Sequence, residues 1–360
     1  MYFSIRILTL FVAAAHPLLA AALPLDEQVS CKCSEPRIRK EWRTLSNSEQ
    51  DAYINAIQCL KDAPSKGTKF YEDLRNRYDD FVASHINATR ASLYGVHSVG
   101  VFLPWHRYAI WTFESALRSE CNYTGAQPYW DWTLDGPASN RSLLASPVLQ
   151  AFGGNGSATT GCVEDGPFTG GTFLNIGPGD SMSKNPRCLS RAISDDEFNT
   201  SSNWDDVFQP LSEMKKYTQV QRFIDGLDFF PPEDEIGTGA TTHSHSLMHM
   251  VIGGDFMDVL SSPNDPLFWL HHSLLDYMWT LWQQRDKARL TDIGGARTLE
   301  GYGPSGDKVE NTTLATPLWM GFLNEDVPVK KVLDTMNRDG EGILCYKYED
   351  SPSIMGRTIF

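Results

Sequence analysis

Apolar and polar positions along the 360-residue chain recur with helical spacing in several stretches. Ser46-Asn47-Ser48-Glu49 reads as a capping box, in which hydroxyl and carboxylate satisfy free backbone N–H groups at a helix start. Tyr53, Ile57 and Leu60 follow on one face, so a helix is predicted there. Residues 70–89 are rich in helix formers, with Leu74, Tyr78, Phe81 and His85 at helical spacing, and predict a second. Pro104 suits the first turn of a third, where a missing N–H costs nothing. After it, His106, Ile110, Phe113 and Leu117 share a face. His245 and His249 are one turn apart, so both imidazoles point the same way. Asp265 is predicted as the N-cap of a further helix that opens on Pro266. Leu267, Leu270, Leu274, Met278 and Leu281 trace its apolar stripe, and His272 and Asp276 share a neighbouring face. Between these stretches, 137–242 is dense in Gly, Ser, Asn and Pro and predicts loops. Past Arg285 the chain is again loop-like, with a short helix predicted over 330–336. The expectation is a mainly α fold, a four-helix bundle surrounded by long loops and a few short strands. Repeats and low-complexity tracts are absent, and 23–360 reads as one domain.

Composition changes this picture mainly at the N-terminus. Arg6, the apolar run 7–15 and the small residues Ala20, Ala21 and Ala22 read as a secretory signal peptide over 1–22. No later stretch reaches the roughly 18 uninterrupted apolar residues of a membrane span. Secretion, or the lumen of the secretory pathway, is the expected address. Glycosylation sequons agree: Asn122, Asn140, Asn155, Asn199 and Asn311 are expected sites. Asn87 also heads a sequon but lies two residues from a candidate metal ligand, and is not expected to be used. Seven cysteines follow the signal segment (Cys31, Cys33, Cys59, Cys121, Cys162, Cys188 and Cys345), enough for three disulfides and one left over. Losing Arg6 takes the net charge from −14 to −15. Such acidity argues against nucleic acid or an anionic membrane as partner.

The histidines carry the chemistry. His16 lies in the signal segment, and the other eight fall in two windows. His85, His97 and His106 form the first; His243, His245, His249, His271 and His272 form the second. The 136 residues between His106 and His243 contain none. Two metal sites are the economical reading, since helices that direct imidazoles inward are how a bundle holds metal. Neutral imidazole suits copper, zinc, iron and nickel. Zinc peptidases need His-Glu-x-x-His, but Ser246 follows His245. Non-haem iron oxygenases need a carboxylate ligand, and none stands at ligand spacing. Two all-imidazole sets favour copper.

The residues around these histidines resemble a known family. Residues 77–85, then His97, then Phe102-Leu-Pro-Trp-His-Arg107 are similar to the first copper motif of tyrosinases and catechol oxidases. His245-Ser-Leu-Met-His249, Gly253-Gly254 and the run from Ser262 to His272, with Asp276 and Trp279, resemble the second. Residues 128–132 and the terminal Cys345-Tyr-Lys-Tyr348 add to the likeness, whose form is that of short secreted tyrosinase-like proteins of filamentous fungi. The resemblance implies a dicopper centre in the bundle, with two copper ions as cofactors. His85, His97 and His106 would hold one ion, and His245, His249 and His272 the other. His272 is preferred to His271 because Asp276 lies four residues beyond it, which leaves His271 beside the ligands or near the substrate mouth. His243 is given a loop role. Imidazole orientation is expected from Asp276 (which could instead pair with Arg107), Glu114 and Asp131, and an apolar wall from Phe268. Val259 lies where the family sets pocket size. The implied reaction is oxidation of o-diphenols to o-quinones by molecular oxygen, on a small phenol or a tyrosine-containing peptide. Such chemistry would serve pigment or phenolic secondary metabolism.

Three departures shape that expectation. Many tyrosinases carry Asn where this chain has Ser246, and use it with a Glu to hold a water that deprotonates monophenols. Glu233 and Glu235 lie upstream, and diphenol oxidation is the firmer expectation. Gly95 stands two residues before His97, so the Cys-x-His thioether of some members cannot form. Twelve residues follow Tyr348, so the C-terminal shielding domain of many members is not expected. A haemocyanin-like oxygen carrier, or a relative that kept its ligands and lost activity, is the competing reading.

Overall fold

A computed structural model describes residues 32–90, 95–139, 142–226, 244–298, 310–355 and 357. The signal segment, Cys31, Asn140, Glu233, Glu235 and His243 lie outside these residues.

The described chain is mainly helical. α1 (Asn47–Asp62) starts at the predicted capping box, with Ser46 and Glu49 each bonded to the other's backbone N–H. α2 (Arg77–Arg90) starts later than the apolar spacing indicated. Asn76 explains the difference: its side-chain oxygen accepts from Asp79 N at 2.9 Å, while Asp79 accepts from Asn76 N and Arg75 N. That reciprocal cap stops the helix from extending back through the turns at 70–76. α3 (Phe102–Cys121) carries Pro104 in its first turn and ends on Asn122, whose left-handed φ of 55° closes the helix. Short helices α4 (Pro147–Phe152), α5 (Asp195–Ser201), α6 (Trp204–Val207) and α7 (Tyr217–Asp225) interrupt the long loop region. α7 is a correction to the all-loop expectation for 137–242. Tyr217, Val220 and Ile224 form its buried stripe, and Gly226 with φ 94° ends it. α8 (Ser244–Ile252) and α9 (Gly254–Met257) follow. α10 (Leu267–Gln284) begins one residue later than read. Asp265 still caps it, accepting from Leu267 N at 3.0 Å. The helix expected over 330–336 is a single 3-10 turn at Val329–Val332.

Among the described residues, four strands make two small sheets. β1 (Arg37–Arg39) pairs in parallel with the last, β4 (Tyr346–Tyr348), and β2 (Pro317–Leu318) pairs antiparallel with β3 (Val327–Pro328).

The bundle is formed by α2, α3, α8 and α10, with α7 laid against α3 and α8. Phe113 of α3 stacks on Trp269 of α10, with ring centroids 3.9 Å apart. Phe81 of α2 meets both rings edge-on at 5.2 and 5.8 Å. Such stacked and edge contacts add about 0.5–1.5 kcal/mol each beyond burial, and lock three histidine-bearing helices at one level.

The ends of the chain are tied into the same core. Arg39 on β1 is fully buried. It bonds Glu114 of α3 at 2.7 and 3.1 Å, Asp276 of α10 at 3.3 Å and the Tyr348 hydroxyl at 3.1 Å. Cys33–Cys345 clamps the strand pair from outside, and Cys59–Cys121 and Cys162–Cys188 complete three disulfides. Cys33–Cys345 spans 312 residues and constrains the unfolded chain strongly. Cys345→Ser should therefore lower stability by about 2–4 kcal/mol. The readout is a lower urea midpoint, with a steeper slope because the unfolded chain is released to expose more surface. An unmoved midpoint would mean that the buried Arg39 contacts alone hold the ends.

Of the described sequons, Asn122, Asn155, Asn199 and Asn311 are exposed. Asn87 sits in α2 with its amide donating to the Tyr71 hydroxyl at 2.6 Å.

Candidate metal centre

Four helices and one loop bring six histidines together. His85 comes from α2, His106 from α3, His245 and His249 from α8, His272 from α10, and His97 from the loop before α3. They form two groups, His85 with His97 and His106, and His245 with His249 and His272. Within each group one ring nitrogen per residue lies within 4.8 Å of the others. The groups face each other: the rings of His106 and His272 stack at 4.4 Å and 12°, and those of His97 and His245 at 5.8 Å and 9°.

Five of the six rings have a partner at Nδ1, whereas Nδ1 of His272 has none among the described residues. Nδ1 of His85 lies 2.6 Å from the Leu260 carbonyl oxygen, and Nδ1 of His106 lies 2.9 Å from that of Phe102. Nδ1 of His249 meets the Phe256 carbonyl. A carbonyl only accepts, so Nδ1 carries the proton and Nε2 keeps its lone pair. Nδ1 of His97 has the Thr89 hydroxyl at 3.4 Å. Nδ1 of His245 has the carbonyl and a carboxylate oxygen of Asp225, both at 3.4 Å. Glycine makes the Phe256 contact reachable. Gly253 and Gly254 have φ of 65° and 55°, and a Cβ on Gly254 would meet the Ser190 carbonyl at 2.2 Å. The chain can thus end α8 and turn back within two residues.

The buried Nε2 atoms of His85, His106 and His245 have no hydrogen-bond partner among the described residues. Nε2 of His249 and Nε2 of His272 stand 3.4 Å apart. With metal–imidazole bonds of about 2.0–2.1 Å, two nitrogens on one tetrahedral ion lie about 3.3 Å apart. Burial drives His85 down to about 4, and drives His97, His106, His249 and His272 well below the ordinary histidine value, helped by the neighbouring imidazoles. Neutral rings with free lone pairs turned inward are what a metal ion requires. The donor set is imidazole alone, with no carboxylate in either group.

Phe268 is almost fully buried, with ring centroids 4.1 Å from His272, 5.2 Å from His85 and 6.1 Å from His106. It forms an apolar wall to both groups. Trp105, which the sequence reading did not single out, packs its ring 4.9 Å from His106 and 5.7 Å from His85. His271 is fully buried behind the second group, 6.0 Å from His245 and 5.2 Å from His249, rather than at a mouth. Val259 is well exposed on the loop that carries Leu260.

The carboxylates expected to orient imidazoles take other partners. Asp276 pairs with Arg107 and Arg39 and accepts from the hydroxyls of Tyr346 and Tyr348, at 2.6 Å each. Glu114 pairs with Arg39 and Arg37. Asp131 accepts from Thr133, Ser351 and Ser353. Backbone carbonyls do the work assigned to them, and their positions depend on tertiary packing. Asp225 is the carboxylate that reaches an imidazole, and it drew no notice in the sequence because it stands alone twenty residues before His245. The Ser246 hydroxyl donates to the Asp225 carbonyl at 3.0 Å, tying α8 to α7.

A helical bundle that presents two facing sets of three imidazoles, five of the six histidines buried and His249 partly so, is suited to hold a pair of metal ions. The family profile "Common central domain of tyrosinase" matches residues 75–285, more than half of the chain. A tyrosinase-like protein of Diaporthe leptostromiformis, phomQ1, is 36% identical over 332 residues, covering 88% of this chain and 79% of its own length. The N-acetyl-6-hydroxytryptophan oxidase ivoB of Emericella nidulans is 32% identical over 380 residues, covering 92% and 98%. Among solved structures, a mutant polyphenol oxidase of Thermothelomyces thermophila superposes with a TM-score of 0.72 at 29% identity, covering 89% of this chain and 91% of its own. The chain belongs to the tyrosinase family and is an oxidoreductase of that type.

Proposed function

We propose that this chain is a secreted dicopper phenol oxidase that converts o-diphenols to o-quinones with molecular oxygen. His85, His97 and His106 hold one copper, and His245, His249 and His272 the other. The observation that carries this is the facing of two all-imidazole groups, His106 against His272 at 4.4 Å. Copper, when bound, supplies reversible one-electron chemistry with dioxygen at each site. The chain's own residues keep the site ready for it. Carbonyls of Leu260, Phe102 and Phe256 hold three rings by Nδ1, so each Nε2 stays a ligand. Phe268 and Trp105, both almost fully buried, shield the rings from water.

The Ser246 hydroxyl is committed to the Asp225 carbonyl, so it is poorly placed to hold a water that takes a proton from a monophenol. This supports diphenol oxidation as the main activity. A hydroxylated indole in the name of one relative widens the substrate class to phenols fused to other rings. Pigment or phenolic secondary metabolism is the proposed setting. Three disulfides, and the absence among the described residues of a helix long and apolar enough to cross a membrane, support release into an oxidising compartment from a signal segment over 1–22. Residues 23–360 then act as one domain, with glycans at the exposed sequons.

Oxygen uptake by the copper-loaded protein tests this, with a catechol and a matched monophenol run side by side. Uptake on catechol at least about 100-fold above that on the monophenol is expected, the lower end of what a positioned proton acceptor contributes. Equal uptake would show that Ser246 does not matter. No uptake on either, with two coppers bound, would move the reading to an oxygen carrier or an inactive relative.

A further inference from the structure

Asp225, the last residue of α7, touches the surroundings of both histidine groups. One carboxylate oxygen accepts from the backbone N–H of Ser98 at 2.8 Å and from the Gln221 amide at 2.9 Å. The other lies 3.4 Å from Nδ1 of His245. Its carbonyl oxygen accepts from the Ser246 hydroxyl at 3.0 Å and lies 3.4 Å from the same Nδ1. The side chain is 4% exposed, so these contacts are made out of bulk water.

Ser98 gives the first contact its meaning. Its φ is 61°, a left-handed conformation that costs a residue with a Cβ. It follows His97, the one candidate ligand carried by a loop. No helix fixes the direction of that ring, and its Nδ1 has only a 3.4 Å hydroxyl contact. The left-handed turn at Ser98 points the chain toward α3 and sets the His97 side chain in its group. The Asp225 carboxylate holds that turn by the Ser98 N–H.

We infer that Asp225 is a positioning residue shared by the two metal sites, fixing His97 of the first and His245 of the second. The inference rests on the two histidine groups being copper sites. A carboxylate suits the task because both of its oxygens accept. An amide in its place has one acceptor and one donor, and the clash of that donor with the Ser98 N–H or the His245 Nδ1–H turns the side chain out of its contacts with both. The consequence is coupling: a change at Asp225 reaches both coppers, although it binds neither.

Copper affinity in single-site proteins tests this without relying on turnover. His272→Ala leaves the first site and His106→Ala leaves the second, and each is titrated with copper against a chelator, with and without Asp225→Asn. Copper binding about 10-fold weaker in both backgrounds is expected, the lower end of what loss of an orienting partner costs a metal site. Ser98→Gly added to Asp225→Asn should restore the first site and leave the second weak, because glycine adopts the left-handed turn unaided. That double variant also decides the matter if Asp225→Asn alone does not fold. Weakening confined to one site, or unchanged affinity at both, overturns the inference. If the single-site proteins fail to bind one copper each with Asp225 intact, it is the copper reading that fails.

Discussion

Replacing His272 with alanine should leave the protein with about one copper in place of two, and lower catechol-dependent oxygen uptake by at least about 100-fold, the upper end of what a mere orienting partner costs. Two electrons leave an o-diphenol as it becomes a quinone, and a single copper accepts one. The second site is the more exacting choice because His272 belongs to it while its ring stacks on His106 of the first. His271 is the natural control, since it is adjacent in sequence and equally buried but outside both groups. His271→Ala should retain both coppers. Metal analysis together with the electron-spin signal separates the cases: two strongly coupled copper(II) ions give little signal, and a lone one gives a full signal. Two coppers retained in His272→Ala, or one lost in His271→Ala, would reverse the choice between the neighbours.

The second large effect concerns stability. Asp276→Ala should destabilise the fold by about 3–5 kcal/mol, the cost of leaving buried cations without their partner. Arg39 and Arg107 both lean on this carboxylate from fully buried positions. The hydroxyls of Tyr346 and Tyr348 lose their acceptor in the same change. Arg107 keeps the carbonyls of Val332 and Leu333, the Gln283 side chain and the Trp279 ring face, so the loss is partial on that side. The pH dependence follows. Burial alone raises the pKa of Asp276, but Arg107 and Arg39, with the two hydroxyls, outweigh burial and hold it below the ordinary carboxylate value. A folded-state pKa below the unfolded one stabilises the fold at any pH above the unfolded value of about 3.9. That stability is lost as pH falls through the depressed folded value. Asp276→Ala should therefore be less stable than the parent at neutral pH, with the gap closing toward strong acid. Urea midpoints across the acid range read this out, and a gap constant with pH would mean that packing, not charge, is what Asp276 supplies.

The two histidine groups were legible in the chain to an unusual degree. Histidine is scarce here and confined to two windows, and the i, i+4 pair His245 and His249 needs only helical geometry to meet. Local capping chemistry likewise set the starts of α1 and α10, because a serine or aspartate finds its N–H partner within three residues. Where local signals competed, the apolar spacing misled: it ran α2 back to Phe70, while Asn76 and Asp79 cap it at Arg77. The helix α7 escaped notice because nine residues carry too short a stripe to stand out in a Gly- and Ser-rich region. The orienting groups were the least accessible. Asp276, Glu114 and Asp131 were chosen as carboxylates near the motifs in sequence, but a carboxylate in this core is drawn to arginine and hydroxyl donors instead.

The sequence alone thus determined that the imidazoles fall in two groups and which helices carry most of them, because these depend on residue identity and on periodicity within one helix. Tertiary structure decided which backbone carbonyls hold the rings of His85, His106 and His249, and which acid reaches an imidazole. Those contacts join Leu260 to His85 across 175 residues, and Asp225 to Ser98 across 127. Contacts between residues so far apart exist only once the helices have packed, so no local pattern encodes them.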